Sequence, residues 1–528
     1  MSNTHHPFHP IIYVRGFAAT QGEIEETVAD PYMGFNIGST KARMAWTGEM
    51  RRFYFESPLV RLMGDHKYED VFVDGDDLMF ADRADQKVPY RSIIIYRYYD
   101  DASKDFGDGE TPPIEQFARG LDKLILRLRD KVCANKDNKV APEDFKVHLV
   151  AHSMGGLVCR AFLQNKLLGS EAARKTVDKV FTYATPHNGI DMRIVRNVPG
   201  WLSFGDVNNF NRSRMAKYMD LPQSDDVSVV TNFPPERIFN LVGTNPRDYL
   251  VAGGASAWAV GDASDGLVRI ENATTHGVGT DGKEVESPRA FVNRSHSGHY
   301  GIVNSEEGYQ NLTRFLFGEL RADGILDVDE LSLPVEVQKE LDSGKSVKAS
   351  YQFEVVASVR GCQWQITRRE ARENSAIFRT FDQLFTGDKR SERVPNRAMS
   401  PHLFSVFLDP NKSVKKSGSV SFAFDIKVLV PDYEVDGVLF LKRHYEGGFV
   451  YRELVLVEAF PDKGTNAGWR IKYGFQDINP GKPGTEAKLY PLKDADGSTI
   501  GYGFSIEIDQ KTRPGLRGTL RVEMRPWS

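Results

Sequence analysis

Residues Val147 to Leu163 read VHLVAHSMGGLVCRAFL, and Ser153 lies at their centre. An apolar run leads into Ala151-His152-Ser153-Met154-Gly155 and a second apolar run leads out, which puts the serine on a sharp strand-to-helix bend. Such a bend strains the serine backbone and pushes its hydroxyl out of the sheet. Ala151 and Gly155, two residues before and two after, are small enough for strand and helix to pass closely, and Gly156 keeps the first helical turn slim. The amino end of the helix adds positive potential where an oxyanion would develop. The chemistry this pattern suits is nucleophilic attack on an acyl carbon, followed by release of the acyl group to water.

The surrounding elements are those such a serine needs. Pro10 to Val14, Ser92 to Tyr99, Phe145 to Val150, Val177 to Ala184 and Arg237 to Val242 are short apolar runs that read as strands. Between them the period changes to that of a helix. Ile114, Phe117, Ala118, Leu121, Leu124, Ile125, Leu128 and Val132 fall on one helical face, with Pro112-Pro113 just ahead. Gly155 to Leu168 and Ser305 to Leu320 give two more helices. Strands alternating with helices predict a mainly parallel sheet covered on both faces.

At 528 residues the chain exceeds one hydrophobic core, so at least two domains are expected. The acidic, Lys-rich stretch 325–346 reads as a linker between a catalytic domain, 1–324, and an accessory domain, 347–528. Beyond it the period becomes two, as in Tyr351, Phe353, Val355, Ala357 and Val359, or Val420, Phe422, Phe424, Ile426, Val428 and Val430. Many strands without a long helix predict an antiparallel sandwich, with Glu446-Gly447-Gly448 as a hairpin turn. A net charge of -4 lacks the basic excess of a nucleic-acid binder. Cys133, Cys159 and Cys362 form neither a disulfide framework nor a zinc pattern. The polar, His-rich start carries no apolar signal segment, and no apolar run is long enough to span a bilayer. These features predict a cytoplasmic protein, or one exported without a cleavable signal. Any membrane contact would be peripheral, with the accessory domain as the candidate for it.

The segment AHSMGG resembles the nucleophile elbow of bacterial lipases and esterases of the α/β-hydrolase superfamily, including those with alanine at the first small position. TYATPHNG, Thr182 to Gly189, is similar to the loop after the next strand in many lipases. The resemblance runs by motif order over roughly residues 8 to 320. It implies an α/β-hydrolase fold followed by the β-sandwich, and a triad in chain order Ser, acid, His. Ser264-Asp265-Gly266-Leu267-Val268 resembles the acidic motif, which points to Asp265, with Asp262 and Asp248 as rivals. His299, followed by Tyr300-Gly301-Ile302-Val303, resembles the segment that carries the general base, with His296 as the alternative. The oxyanion donors implied are the main-chain N–H groups of Met154 and of Phe17, in the loop Arg15-Gly16-Phe17 where many lipases have His-Gly. Arg15 is read as holding that loop by a hydrogen bond, with contact to an acidic or phosphorylated substrate as the alternative. His152 is read as a filler of the elbow, His187 as loop support, and His148 as a strand residue.

Residues Ile190 to Pro235, with Trp201, Phe204, Phe210, Met215, Tyr218 and Met219, read as a cap or lid. The expected activity is hydrolysis of lipid-like carboxylic esters by a lipase, esterase or phospholipase, with no cofactor and no metal. The alternatives are an exported antibacterial phospholipase and a binding protein on a hydrolase scaffold.

Overall fold

The computed structural model describes the chain outside residues 1–4, 19–20, 46, 74–75, 80–86, 191–207, 248–262, 280–281, 388–392, 413–417, 437–441, 476–483, 495 and 528. It divides into two compact units, Met1–Phe317 and Gly318–Ser528.

The first unit is organised by a seven-stranded sheet. Its strands are β1 (Ile11–Val14), β2 (Glu69–Asp70), β3 (Ser92–Tyr96), β4 (Val147–His152), β5 (Val177–Tyr183), β6 (Ile238–Gly243) and β7 (Arg289–Val292), numbered within this sheet alone. Their spatial order is β7-β6-β5-β4-β1-β3-β2, and every pairing is parallel. Strands buried on both faces carry near-continuous apolar sequence, and all four residues of β1 are buried.

The helices α1 (Ile114–Ala134), α2 (Met154–Gln164) and α3 (Glu306–Phe317) cover the sheet. All eight residues assigned to the inner face of α1 are buried, and every residue of α2 is buried. Strand register settles which helix covers which face. Ile95, Tyr13, Val150 and Phe181 lie side by side across four strands. Phe181 and Phe239 pack on Phe315 of α3. Tyr96, the next residue after Ile95, points to the other face and donates its hydroxyl to the Phe117 carbonyl of α1. Helices therefore lie on both faces.

The second unit holds two antiparallel sheets. Strands His402–Leu408, Leu320–Ser332, Gly515–Pro526, Thr499–Asp509 and Tyr490–Lys493 form one. Strands Val347–Val359, Val420–Asp436, Lys442–Pro461 and Trp469–Phe475 form the centre of the other. One apolar cluster takes side chains from both, including Val406, Phe504 and Val522 from the first and Phe353, Phe424 and Ile426 from the second. This is a sandwich.

Two boundaries differ from the sequence reading. Residues 325–346 are no linker: Ile325 to Ser332 completes the strand Leu320–Ser332, which pairs along its length with Gly515–Pro526. Its acidic residues are matched by arginines of that partner, Asp323 by Arg525 and Asp327 by Arg521. Glu446-Gly447-Gly448 is no hairpin turn. It lies inside the strand Lys442–Pro461, opposite Val430 to Asp432. A Cβ at Gly447 would stand 1.8 Å from the Val430 carbonyl oxygen, so glycine lets the two strands close at Pro431.

Candidate active site

Strand β4 ends at His152, and α2 begins at Met154. Ser153, between them, has φ 51° and ψ −123°, a left-handed backbone unusual for a side chain larger than glycine. Its N–H donates to the Tyr183 carbonyl at 2.9 Å, and its carbonyl accepts from Thr185 Oγ1 at 2.9 Å. Both partners belong to the start of the TYATPHNG segment, which thereby holds the strained bend. The bend also depends on close packing. A Cβ at Gly155 would lie 2.3 Å from the Val14 carbonyl oxygen and 2.5 Å from that of Arg15, and one at Gly16 would lie 2.8 Å from Ser153 Cβ. The loop after β1 is thus pressed against the nucleophile, on the side where Phe17 follows.

The imidazole brought to Ser153 is that of His296. Its Nε2 lies 3.0 Å from Ser153 Oγ, and its Nδ1 lies 2.9 Å from Asp265 Oδ2. Since a carboxylate only accepts, the neutral ring carries its proton on Nδ1 and presents a lone pair to the serine hydroxyl. All three residues are nearly inaccessible, Ser153 and His296 at 3% and Asp265 at 1%. The other carboxylate oxygen of Asp265 accepts from the N–H groups of Leu267, at 3.0 Å, and Val268, at 2.7 Å. The Asp-Gly turn and the acid are therefore one device: Oδ1 shapes the turn and Oδ2 holds the ring. Asp262 and Asp248 lie outside the described residues.

His299, the sequence-preferred base, does not meet this geometry. Ser295 bridges to Gly301, and the Ile302 N–H donates to the Ser295 carbonyl. This closes a tight loop with residues 297–300 at its tip. His299 is exposed there, and its carbonyl accepts from the Thr40 N–H. His296 enters the loop before the tip, and its N–H donates to the Asp265 carbonyl at 2.9 Å. Motif spacing could not separate the two rings, because the choice depends on where the loop closes.

Other residues hold the arrangement in place. His152 is more than a filler: its Nε2–H donates to the His296 carbonyl at 3.0 Å, and the two rings lie 4.9 Å apart. Burial, followed by the His296 charge, lowers its pKa well below the usual value and keeps it neutral. Arg294, two residues before His296, forms a buried ion pair with Glu307 of α3 at 2.9 Å and donates to the Thr40 carbonyl. Gly243 at the end of β6 lets Asp265 and Arg294 approach one another, since a Cβ there would clash with both. Arg15 donates from Nη1 to the Met33 carbonyl.

Of the cap, residues 191–207 lie outside the described residues, as do Trp201 and Phe204. Phe210, Met215, Tyr218 and Met219 are buried, and the Phe210 ring meets that of Phe17 edge-on at 6.0 Å. The buried Arg160 of α2 ties this region to the nucleophile helix by donating to the carbonyls of His187, Val227 and Val229. His187 is buried against Thr182. His148 and His9 lie at the other edge of the sheet, where burial first of all lowers their pKa values to about 4 and about 2.

A parallel sheet with helices on both faces, and a serine on a strained strand-to-helix bend followed in the chain by an acid and a histidine, make up an α/β-hydrolase-like fold. In agreement, residues 116–232 match the family described as "PGAP1-like alpha/beta domain". No curated protein matches the chain in sequence. Among solved structures, the chain is similar to the lipase BlEst2 of Bacillus licheniformis in mature form, at 15% identity and a TM-score of 0.28, over 59% of this chain and 91% of that one. It is also similar to the phospholipase PlaB of Legionella pneumophila, at 13% identity and a TM-score of 0.30, over 91% of this chain and all of that one. Among the described residues, no helix is long and apolar enough to cross a membrane.

Proposed function

We propose that this protein is a serine ester hydrolase that cleaves lipid-like carboxylic esters through Ser153, His296 and Asp265. The observation that carries the reading is the His296 ring, hydrogen-bonded on one side to Ser153 Oγ and on the other to Asp265 Oδ2. In this reading His296 Nε2 takes the hydroxyl proton as Ser153 Oγ attacks the ester carbonyl carbon. Asp265 fixes the tautomer and stabilises the imidazolium. The N–H groups of Met154 and Phe17 receive the oxyanion, an assignment supported by the start of α2 at Met154 and by the contact of Gly16 with Ser153. His296 then returns its proton to the leaving alkoxide, leaving Ser153 acylated. Water, deprotonated by the same ring, releases the acid and restores the hydroxyl.

The lipid-like character of the substrate is supported by the apolar residues beside the site, Phe17 and Phe210. The test is a panel of acyl esters and phospholipid vesicles offered to the full chain and to Ser153→Ala. Hydrolysis of at least one class by the wild type, lowered about a million-fold by the substitution, is the expected result. A folded wild type that turns over none of them would reject the proposal.

A further inference from the structure

The amino-terminal edge of the parallel sheet holds a second cluster that the ester chemistry does not use. His9 lies two residues before β1, His148 is the second residue of β4, and Asp178 is the second of β5, three neighbouring strands. One ligand atom from each lies within 4.8 Å of the others, and both histidines are buried. His148 Nε2 lies 3.0 Å from the Pro7 carbonyl oxygen, which can only accept, so Nε2 carries the proton. In the neutral ring Nδ1 is then a bare lone pair. It faces Asp178 Oδ2 at 3.5 Å, and neither atom has a hydrogen-bond partner among the described residues. Two lone pairs directed at one another away from bulk solvent repel, and a cation bound by both removes that cost.

We infer that His9, His148 and Asp178 form a structural site for a divalent transition-metal ion of the Zn2+ class. The donor set is two imidazole nitrogens and one carboxylate oxygen, with water completing a tetrahedron, a combination suited to Zn2+ or Co2+. Outer contacts orient each ligand as such sites require. His9 Nδ1 bonds to the Tyr90 hydroxyl at 2.8 Å, which leaves Nε2 for the ion. Arg237 engages Asp178 Oδ1, which leaves Oδ2. Arg237 and Lys179 add positive charge nearby, so imidazole chemistry rather than net charge must select the ion, against Ca2+ and Mg2+. His148 lies in β4 five residues before Ser153, about 16 Å at the rise of a strand. The metal therefore staples the segment before β1 to the sheet and takes no part in ester cleavage.

The test is titration of the full chain, stripped with chelator, with Co2+ and then Zn2+. One equivalent of Co2+ should bind with visible d–d absorption, be displaced by Zn2+, and raise the melting temperature. Asp178→Asn and His148→Gln should lose that equivalent while retaining labelling of Ser153 by a fluorophosphonate. If both fail to fold, His9→Gln decides in their place. His444→Ala, which removes the exposed Asp432–His444 pair, should keep it. The inference is overturned if the folded wild type binds no equivalent of either metal. It is equally overturned if binding survives in the cluster variants, or disappears with His5→Ala/His6→Ala while those variants retain it.

Discussion

The two edges of the parallel sheet treat buried polarity in opposite ways, and β4 runs from one to the other. At the carboxyl edge Ser153, His296 and Asp265 satisfy one another in a closed chain that ends on two backbone N–H groups. At the amino edge His148 Nδ1 and Asp178 Oδ2 face each other at 3.5 Å, with no hydrogen-bond partner for either among the described residues. Both sets contain buried histidines, so burial of an imidazole does not tell a reaction centre from a structural one. The distinction lies in what the last group can do. One chain ends on a hydroxyl held at positive φ beside a shaped loop, and the other ends on an imidazole nitrogen and a carboxylate oxygen 3.5 Å apart.

The sharpest way to break this contrast is to damage the carboxyl edge electronically while sparing its shape. Asp265→Asn keeps an acceptor for the Leu267 and Val268 N–H groups but forces the wrong tautomer on His296. Turnover should fall about ten-thousand-fold, with the urea midpoint nearly unchanged. A matching loss of stability would make Asp265 a structural residue. Asp178→Asn at the other edge is the converse, altering metal binding and melting while Ser153 stays reactive.

Next in size is the packing beneath the nucleophile. Gly155→Ala drives a methyl group into two backbone carbonyls, and chemical denaturation should register a loss of about 3 kcal/mol. An unchanged midpoint would show the bend to be looser than the geometry requires.

The smallest expected effect concerns pH. His152 and His187, both near the carboxyl edge, are held neutral by burial, with pKa values well below 6.5. The unfolded chain takes up these protons as pH falls through about 6.5, and the folded chain does not. Their contribution is therefore complete above that pH and declines below it. The melting temperature should drop by about 5 °C between pH 7.5 and 5.0, and His187→Gln should flatten the slope if it folds. A melting temperature that rises on acidification would contradict the neutral assignment.

Much of the first unit was legible because parallel strands and their helices write themselves as apolar runs and 3.6-residue stripes, as in β4 and α1. Strand β7 escaped notice because four residues, RAFV, make too short a run. The boundary near 318 was obscured by Asp323, read with the catalytic domain, and by Asp327, read as solvated linker. Their arginine partners, Arg525 and Arg521, lie some 200 residues further along the chain. In the site, Ser153 was readable from local pattern and Asp265 from its turn. The choice between His296 and His299 rests on the closure of one loop, and the support from His152, Gly243 and Arg294 rests on tertiary contacts. None of these has a local sequence signal.

The most direct test of the central claim is the rate at which a fluorophosphonate modifies Ser153, followed by intact mass in the wild type, His296→Ala and His299→Ala. The account predicts one adduct on Ser153 of the wild type, nearly abolished labelling in His296→Ala, and a near-normal rate in His299→Ala. Normal labelling of His296→Ala with loss in His299→Ala would contradict it.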